Sequence, residues 1–408
     1  MRQGTSGFVG ARLKEAREAR ELTATSLADL IGVSRQAVSQ YENGTQTPSP
    51  YVMRRLIEVL RFPYHFFLGL PTPDEKDLIF FRSVESATKA SRLRAQRRYG
   101  WVRSVVRYLR ESVHLPKAHF PACPFRDDPR SILERDIERA AEGARRFWSL
   151  KDYSISNLVW LVENHGGIVT RFELGSDKPD AFSQWNREDA TPYIVLGSDK
   201  GSAVRSRYDL AHELGHILLH RSVRKDAFVD KAVFRLIEQQ AHRFAGCFLL
   251  PGSTFGAEFG RMPTLEYLTS LKAKWKVSIL FMIMRCAELD IISEHQKGRL
   301  FAGISARGWR QKEPLDDMIE FEEPCLLKRS LELLIERRIV SSTDISFRLG
   351  LDDADVEELT GLVRGYLRKH QGGPAAPFHL MEPNERSEHQ PSEDQAGLPD
   401  VLPFPKAE

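Results

Sequence analysis

Arg207-Tyr208-Asp209-Leu210-Ala211-His212-Glu213-Leu214-Gly215-His216-Ile217-Leu218-Leu219-His220 is the stretch on which the reading of this chain turns. Leu210, Leu214, Ile217 and Leu218 recur at helical spacing and predict a buried helix from about Ser206 to Leu219. His212 and His216 are four residues apart, so they project from one face of that helix, a turn from each other. Buried polar groups without partners cost on the order of 1–3 kcal/mol each, so a core helix does not carry two inward histidines and a glutamate for nothing. A zinc ion gripped by both rings supplies the reason. Glu213, beside the first histidine, is the expected general base.

Catalytic zinc takes three protein ligands and leaves one position open. A second helix is expected from about Lys231 to Leu250, where Pro251-Gly252 stops it. It carries Glu238 and, one turn later, His242. By chemistry alone both compete for the third position, with His220 a weaker contender. Gly167–Phe172 and Tyr193–Leu196 are β-branched and aromatic and read as strands. Residues 129–150 read as an amphipathic helix, and residues 263–291 are helical in pattern.

A second signature lies near the N-terminus, in Leu27-Ala28-Asp29-Leu30-Ile31-Gly32-Val33-Ser34-Arg35-Gln36-Ala37-Val38-Ser39-Gln40-Tyr41-Glu42-Asn43-Gly44. Leu27, Leu30 and Ile31 recur at helical spacing, and Gly32 suits the left-handed residue that ends such a helix. Ser34 is a natural N-cap for the next helix. Ala37, Val38 and Tyr41 are expected to face inward. That leaves Ser34, Arg35, Gln36, Ser39 and Gln40 toward a major groove, where arginine forks onto guanine and glutamine bridges adenine. The stretch resembles the recognition helix of the XRE/Cro-type helix-turn-helix family. That family commonly has a glutamine where Ala24 stands here, so one usual phosphate contact is missing.

Charge agrees with this division. The formal net charge is +3, yet residues 1–116 carry +8 and the rest −5. A basic N-terminal part on a mildly acidic remainder suits a nucleic-acid-binding module joined to an enzyme or sensor. Residues 74–113 read as a basic helical hairpin, Arg-rich from Lys89 to Arg110, whose bland alternative is a solvated helix. No run of 18 apolar residues reads as a membrane span. Cys123, Cys247, Cys286 and Cys325 form no close pair, which suits a reducing cytoplasm. Residues 324–368 look like a small helical unit. Beyond 370 the chain is polar, holds seven of its 22 prolines, and reads as disordered.

The metal stretch also resembles a family. His212 to His216, then Glu238-x-x-Ala241-x-x-Phe244-Ala245 and Leu249-Leu250-Pro251, look like the ImmA/IrrE metallopeptidases. Phe80-Phe81-Arg82-Ser83, Asp180-Ala181-Phe182-Ser183, Leu271-Lys272, Trp275–Ser278 and Gly308–Asp316 extend the likeness. The resemblance implies Glu238 as third ligand. It leaves His242 as a transition-state stabiliser or alternative ligand, at a place where Asn or Asp is common. It implies a zincin-like fold whose edge strand pairs with an extended peptide; residues 167–172 and 193–196 are the two candidates for that edge.

The expected architecture is therefore multidomain. An all-α helix-turn-helix domain (7–70) and a basic helical linker (74–125) precede an α+β zincin-like peptidase domain (126–316), a small helical region (324–368) and the tail (370–408). The expected protein is a cytoplasmic, homodimeric regulator that binds a double-stranded operator. With Zn2+ it cleaves a repressor, another regulator or itself, in a stress or phage-related response. The alternatives are a ligand- or metal-sensing transcription factor without activity, and an antitoxin-like module that docks a partner.

Overall fold

The computed structural model describes residues 4–70, 80–81, 88–125, 128–151, 153–174, 181–198, 202–224, 230–259 and 263–371. The 372–408 tail, and Arg82, Ser83 and Asp180 of the family motifs, lie outside them.

Four helices open the chain: α1 (Gly10–Ala19), α2 (Ala24–Ile31), α3 (Arg35–Glu42) and α4 (Pro50–Leu60). The side chains of Thr23, Ser34 and Ser49 accept backbone N–H bonds from Ser26, Ala37 and Val52, which starts the last three. Gly32, at φ 73°, ends α2 in the left-handed conformation. Leu27, Ala28 and Ile31 are buried, whereas Leu30 is 46% exposed. The buried three centre the apolar arc, and at 3.6 residues per turn Leu30 falls about 100° from that centre.

Of the stretch expected as a helical hairpin (74–113), the Arg-rich part is one 22-residue helix, α5 (Lys89–Arg110), and residues 74–79 and 82–87 lie outside the described ones. Gly100 sits mid-helix, but a single glycine costs only about 1 kcal/mol relative to alanine. Burial of Tyr99, Trp101, Val102, Val105, Val106 and Leu109 outweighs that cost. Before α5, residues 80–81 form a short strand, β1 (Phe80–Phe81).

A mixed α/β unit follows. After a 3-10 turn at Pro129–Ser131 come α6 (Glu134–Phe147) and α7 (Leu158–Asn164). Next are β2 (Ile168–Phe172), β3 (Ala181–Asn186) and β4 (Thr191–Gly197), then α8 (Ala203–Leu219) and α9 (Lys231–Leu249). The sheet order is β1-β3-β4-β2. β2 runs parallel to β4, and β3 runs antiparallel to both of its neighbours. The strand 191–197 is thus interior. The strand at 168–172 is one edge, and β1 covers β3 at the other, with Phe80 opposite Ser183.

Short helices complete the unit: α10 (Gly252–Ala257), α11 (Leu265–Trp275), α12 (Ile279–Glu288) and α13 (Glu294–Ala306). The helical pattern of 263–291 forms two helices, because Lys276 takes a left-handed conformation (φ 52°) and Ser278 caps a new start. Four more helices end the described chain: α14 (Leu326–Glu336), α15 (Ser342–Leu349), α16 (Asp353–Thr360) and α17 (Tyr366–Lys369).

The sheet is buried on both faces. Val169, Ala181, Ile194 and Leu196 join a core with α6–α9, α11 and α12. Ile168, Phe172, Phe182, Tyr193 and Val195 join a second core, which also contains α1–α5 and the C-terminal helices. Double-sided burial explains why β4 is almost uniformly apolar instead of alternating.

Glu163 ties α7 to the C-terminal helices. Its carboxylate accepts from the N–H groups of Cys325 and Leu326 at 3.1 Å, at the start of α14. Burial pushes its pKa up to about 7, against the opposing pull of those bonds. A carboxyl whose pKa rises on folding binds protons more tightly in the folded state. This group therefore contributes stability that is complete below the usual carboxylate range and is lost as pH climbs through about 7. Glu163→Gln should flatten that decline, seen as a urea midpoint that no longer falls between pH 5 and pH 8; an unchanged slope would overturn the assignment.

Candidate metal centre and nucleic-acid interface

Helix α8 is buried along most of its length, including His212, Glu213, His216 and His220. It packs against β3 and β4 on one side and α9 on another. Gly215 sets the approach of α9. A Cβ there would lie 3.2 Å from the Ala241 Cα, the Ala241 carbonyl oxygen and the Phe244 Cβ. The bare backbone lets the two helices close, and closure brings Glu238 to the histidines.

The Nε2 atoms of His212 and His216 are 3.0 Å apart. Glu238 Oε2 is 3.4 Å from His212 Nε2, and its Oε1 is 3.3 Å from His216 Nε2. Ligands about 2.0–2.1 Å from a tetrahedral zinc lie about 3.3–3.4 Å from each other, which the two Glu238 edges match and the His–His edge falls about 0.3 Å short of. Two imidazoles and a carboxylate are also donors that zinc accepts.

His212, Glu213 and His216 also form a compact group, with ligand atoms within 4.8 Å of one another. Glu238 reaches both rings as well, from α9. Ser183 Oγ on β3 donates to Glu213 Oε2 at 2.6 Å. The carboxylate adjoining the first histidine is therefore oriented by the sheet, and the one on α9 faces the two rings.

Electrostatics follow from burial. Burial lowers the His212 pKa well below the ordinary histidine range, which leaves a ring with a lone pair to donate. Burial pushes Glu238 upward, but hydrogen bonds from His212 and His216 outweigh it and hold the group below the carboxylate range. His212 Nδ1 is buried and has no hydrogen-bond partner among the described residues. Its ring is held by its neighbours, with the His216 and His242 centroids 4.7 and 4.8 Å away.

Helix α9 places His242 beside this group on its exposed side. Its Nδ1 hydrogen-bonds the Tyr208 hydroxyl, and Phe281 packs edge-on against Tyr208 at 4.6 Å. Sequence reasoning passed over Tyr208, although it stands one helical turn before His212. It passed over Ser183 as well, since Asp180–Ser183 was matched only as a motif and the strand Ala181–Asn186 was not read.

At the other end of the chain, α3 buries Val38 and Tyr41. Ser34, Arg35, Gln36 and Ser39 are exposed and Gln40 half-exposed, so all five expected contact residues lie on the outward side. Ala37 and Val33 are half-buried and pack against the core. Five of the seven arginines of α5 are engaged within the protein. Arg97 pairs with Glu18 at 2.9 Å, Arg94 with Glu21 at 3.1 Å and Arg98 with Glu358. Arg103 pairs with Glu188 at 2.6 Å and Arg110 with Asp189 at 2.7 Å.

Both regions fall within matches to known families. Residues 13–67 match the helix-turn-helix family model, and residues 162–287 match that of the IrrE N-terminal-like domain, an M78 peptidase family. The chain fuses a helix-turn-helix regulator domain to an IrrE-like peptidase domain. Two curated relatives bear on the first part alone, both from Bacillus subtilis (strain 168). They are an uncharacterized HTH-type transcriptional regulator, RghRB, at 43% identity, and the HTH-type transcriptional repressor RghR, at 41%. Each match spans 56 residues, 14% of this chain and 40% or 42% of the relative. The chain thus covers about two fifths of either relative. Among the described residues no helix is long and apolar enough to cross a membrane.

The close approach at Gly215 is open to test. Gly215→Ala should force α8 and α9 apart by a few tenths of an ångström and cost about 1–3 kcal/mol, the usual range for overpacking. Urea unfolding reads this directly, and a loss below about 0.5 kcal/mol would show that the helices accommodate the methyl group.

Proposed function

We propose that the chain is a DNA-binding transcriptional regulator whose second domain is a zinc-dependent endopeptidase. The observation that supports this most is the meeting of His212, His216 and Glu238 at 3.0–3.4 Å beside an oriented Glu213. In this reading His212, His216 and Glu238 hold zinc. When bound, zinc supplies Lewis-acid chemistry, polarising a peptide carbonyl and making water more acidic. Glu213 takes the proton from the attacking water and hands it to the departing amine. Ser183, donating to Glu213 Oε2, keeps that carboxylate aimed. The Tyr208–His242 pair, on the exposed side, stabilises negative charge on the carbonyl oxygen.

An extended substrate would pair with the sheet beside α8. There β1 already occupies the free edge of β3, so a trans substrate must displace Phe80–Phe81. The substrate class is a repressor or similar regulator, or the chain itself, in a stress or phage-related response. The helix-turn-helix domain reads an operator through Arg35, Gln36, Ser39 and Gln40, with Ser34 at the helix start, as a homodimer in the cytoplasm. One recognition helix contacts only a few base pairs, which favours two copies.

Elemental analysis is the first test. Purified wild type should carry about one zinc per chain, and His216→Ala and Glu238→Ala should carry none. No zinc after metal-replete expression would sink the peptidase reading and leave a DNA-binding sensor, and zinc retained in Glu238→Ala alone would move the third ligand to His242. Glu213→Gln should keep zinc and lose cleavage.

For the DNA site, Arg35→Ala and Gln36→Ala should each weaken operator binding by about 1–3 kcal/mol in a gel-shift titration at fixed salt. Equal loss on unrelated DNA would show that these residues contact phosphates and not bases.

A further inference from the structure

We propose that the cavity between the helix-turn-helix domain, α5 and α15 is a binding site for a small organic anion, a phosphomonoester or carboxylate of metabolite size. Arg107, the Tyr108 hydroxyl and His65 Nε2 are its recognition groups. The site stands apart from the metal centre and shares no residue with it.

Segments far apart in the chain wall this cavity, whose volume is about 500 Å³. The 3-10 turn Tyr64–Leu68, at the end of the helix-turn-helix domain, supplies His65. Helix α5 supplies Arg107 and Tyr108, and the end of α15 supplies Arg348 and Gly350. Pockets for small ligands run from about 300 to 1,000 Å³, so this space matches a metabolite and not a lone ion.

Two polar side chains of the wall end on atoms with nothing to bond. Tyr108 is 6% exposed, and its hydroxyl is buried with no hydrogen-bond partner among the described residues. His65 Nε2 is likewise buried and without a partner among them. Buried polar groups in native proteins are nearly always partnered, so each exception calls for a bonding group that the fold does not supply. Burial pushes the Tyr108 pKa up to about 12, which leaves a neutral O–H able to donate. Both rings are held by α15. Phe347 lies 4.4 Å from the His65 ring, and the Arg348 guanidinium lies 5.1 Å over the Tyr108 ring. Gly350, at φ 68°, keeps the corner open. A Cβ there would stand 3.8 Å from His65 Nε2 and 3.8 Å from Arg12 Nη2.

Charge decides the sign of the ligand. Arg12, Arg103, Arg107 and Arg348 reach the wall, against Glu111 alone among the acids. Arg12 pairs with Glu15 at 2.8 Å, Arg103 with Glu188 at 2.6 Å and Arg348 with Glu111 at 2.7 Å. Arg107 is exposed and forms no ion pair among the described residues. One guanidinium is thus left unmatched on the wall that carries the unbonded hydroxyl. A guanidinium grips a carboxylate or phosphate through two parallel N–H bonds, and a hydroxyl donor adds a third.

The test is isothermal titration calorimetry on the full chain with inorganic phosphate, ribose 5-phosphate, AMP and citrate. At least one probe should bind with a Kd below about 1 mM. That binding should weaken by about tenfold or more in Arg107→Ala and in Tyr108→Phe, the usual effect of losing a hydrogen bond to a charged group. Arg135→Ala, at an exposed position on α6, should bind as wild type does. Binding of the phosphate compounds alone assigns a phosphomonoester, and binding of citrate alone assigns a carboxylate. No binding by any probe, or binding that survives both cavity substitutions, would overturn the proposal. Tyr108→Phe also tests the empty site. Its hydroxyl has no partner to lose, so the urea midpoint without ligand should stay level or rise, and a lower midpoint would show that the hydroxyl serves the fold instead.

Discussion

The second domain depends on one constraint: three ligand atoms held within about 3.4 Å of each other where α8 and α9 meet. Two imidazoles and a carboxylate so placed offer three ligand atoms to one cation. The surrounding structure keeps them there. Gly215 removes the side chain that would hold α9 off, and apolar residues of α8 lock the helix against the sheet. Ser183 orients the neighbouring Glu213 through a hydrogen bond to its Oε2. The polarity of the site is tolerable because most of the buried groups around it find partners.

The basic helix α5 illustrates how charge changes meaning on folding. In the chain it is an arginine-rich run of the kind that binds nucleic acid. In the fold its arginines pair with Glu18, Glu21, Glu188, Asp189 and Glu358, which come from both ends of the protein and from the β3–β4 turn. Trp101 Nε1 donates to Glu15 of α1 at 2.8 Å, inside the same seam. Isolated surface pairs contribute little, but several pairs bridging separate elements around a buried aromatic core specify one arrangement.

That arrangement bears on regulation. The core that holds the recognition helix also takes in one face of the sheet, while the opposite face of that sheet packs on α8. Thr170 in the edge strand donates to the Leu359 carbonyl, and Arg20 of the first helix pairs with Asp355 at 2.6 Å. A movement in one unit therefore has packed neighbours, not a free linker, on its way to the other.

Much was legible in the chain itself. Helical spacing exposed α3 and its polar outward face, and the His–Glu–x–x–His pattern marked α8, because both signals are local and repeat within a turn or two. Glu238 was already ambiguous, since spacing cannot say which side chain of α9 turns toward α8; its approach is decided by packing at Gly215. Ser183 and Tyr208 were silent, being ordinary residues whose chemistry appears only when β3 and α9 lie against α8. The arginines of α5 were misleading for the same reason: a charge announces itself in sequence, but its partner lies as many as 260 positions away. Local patterning thus determined which helices exist and what they offer. Tertiary contact alone decided which offers are taken up, because burial and distance are properties of pairs that sequence does not bring together.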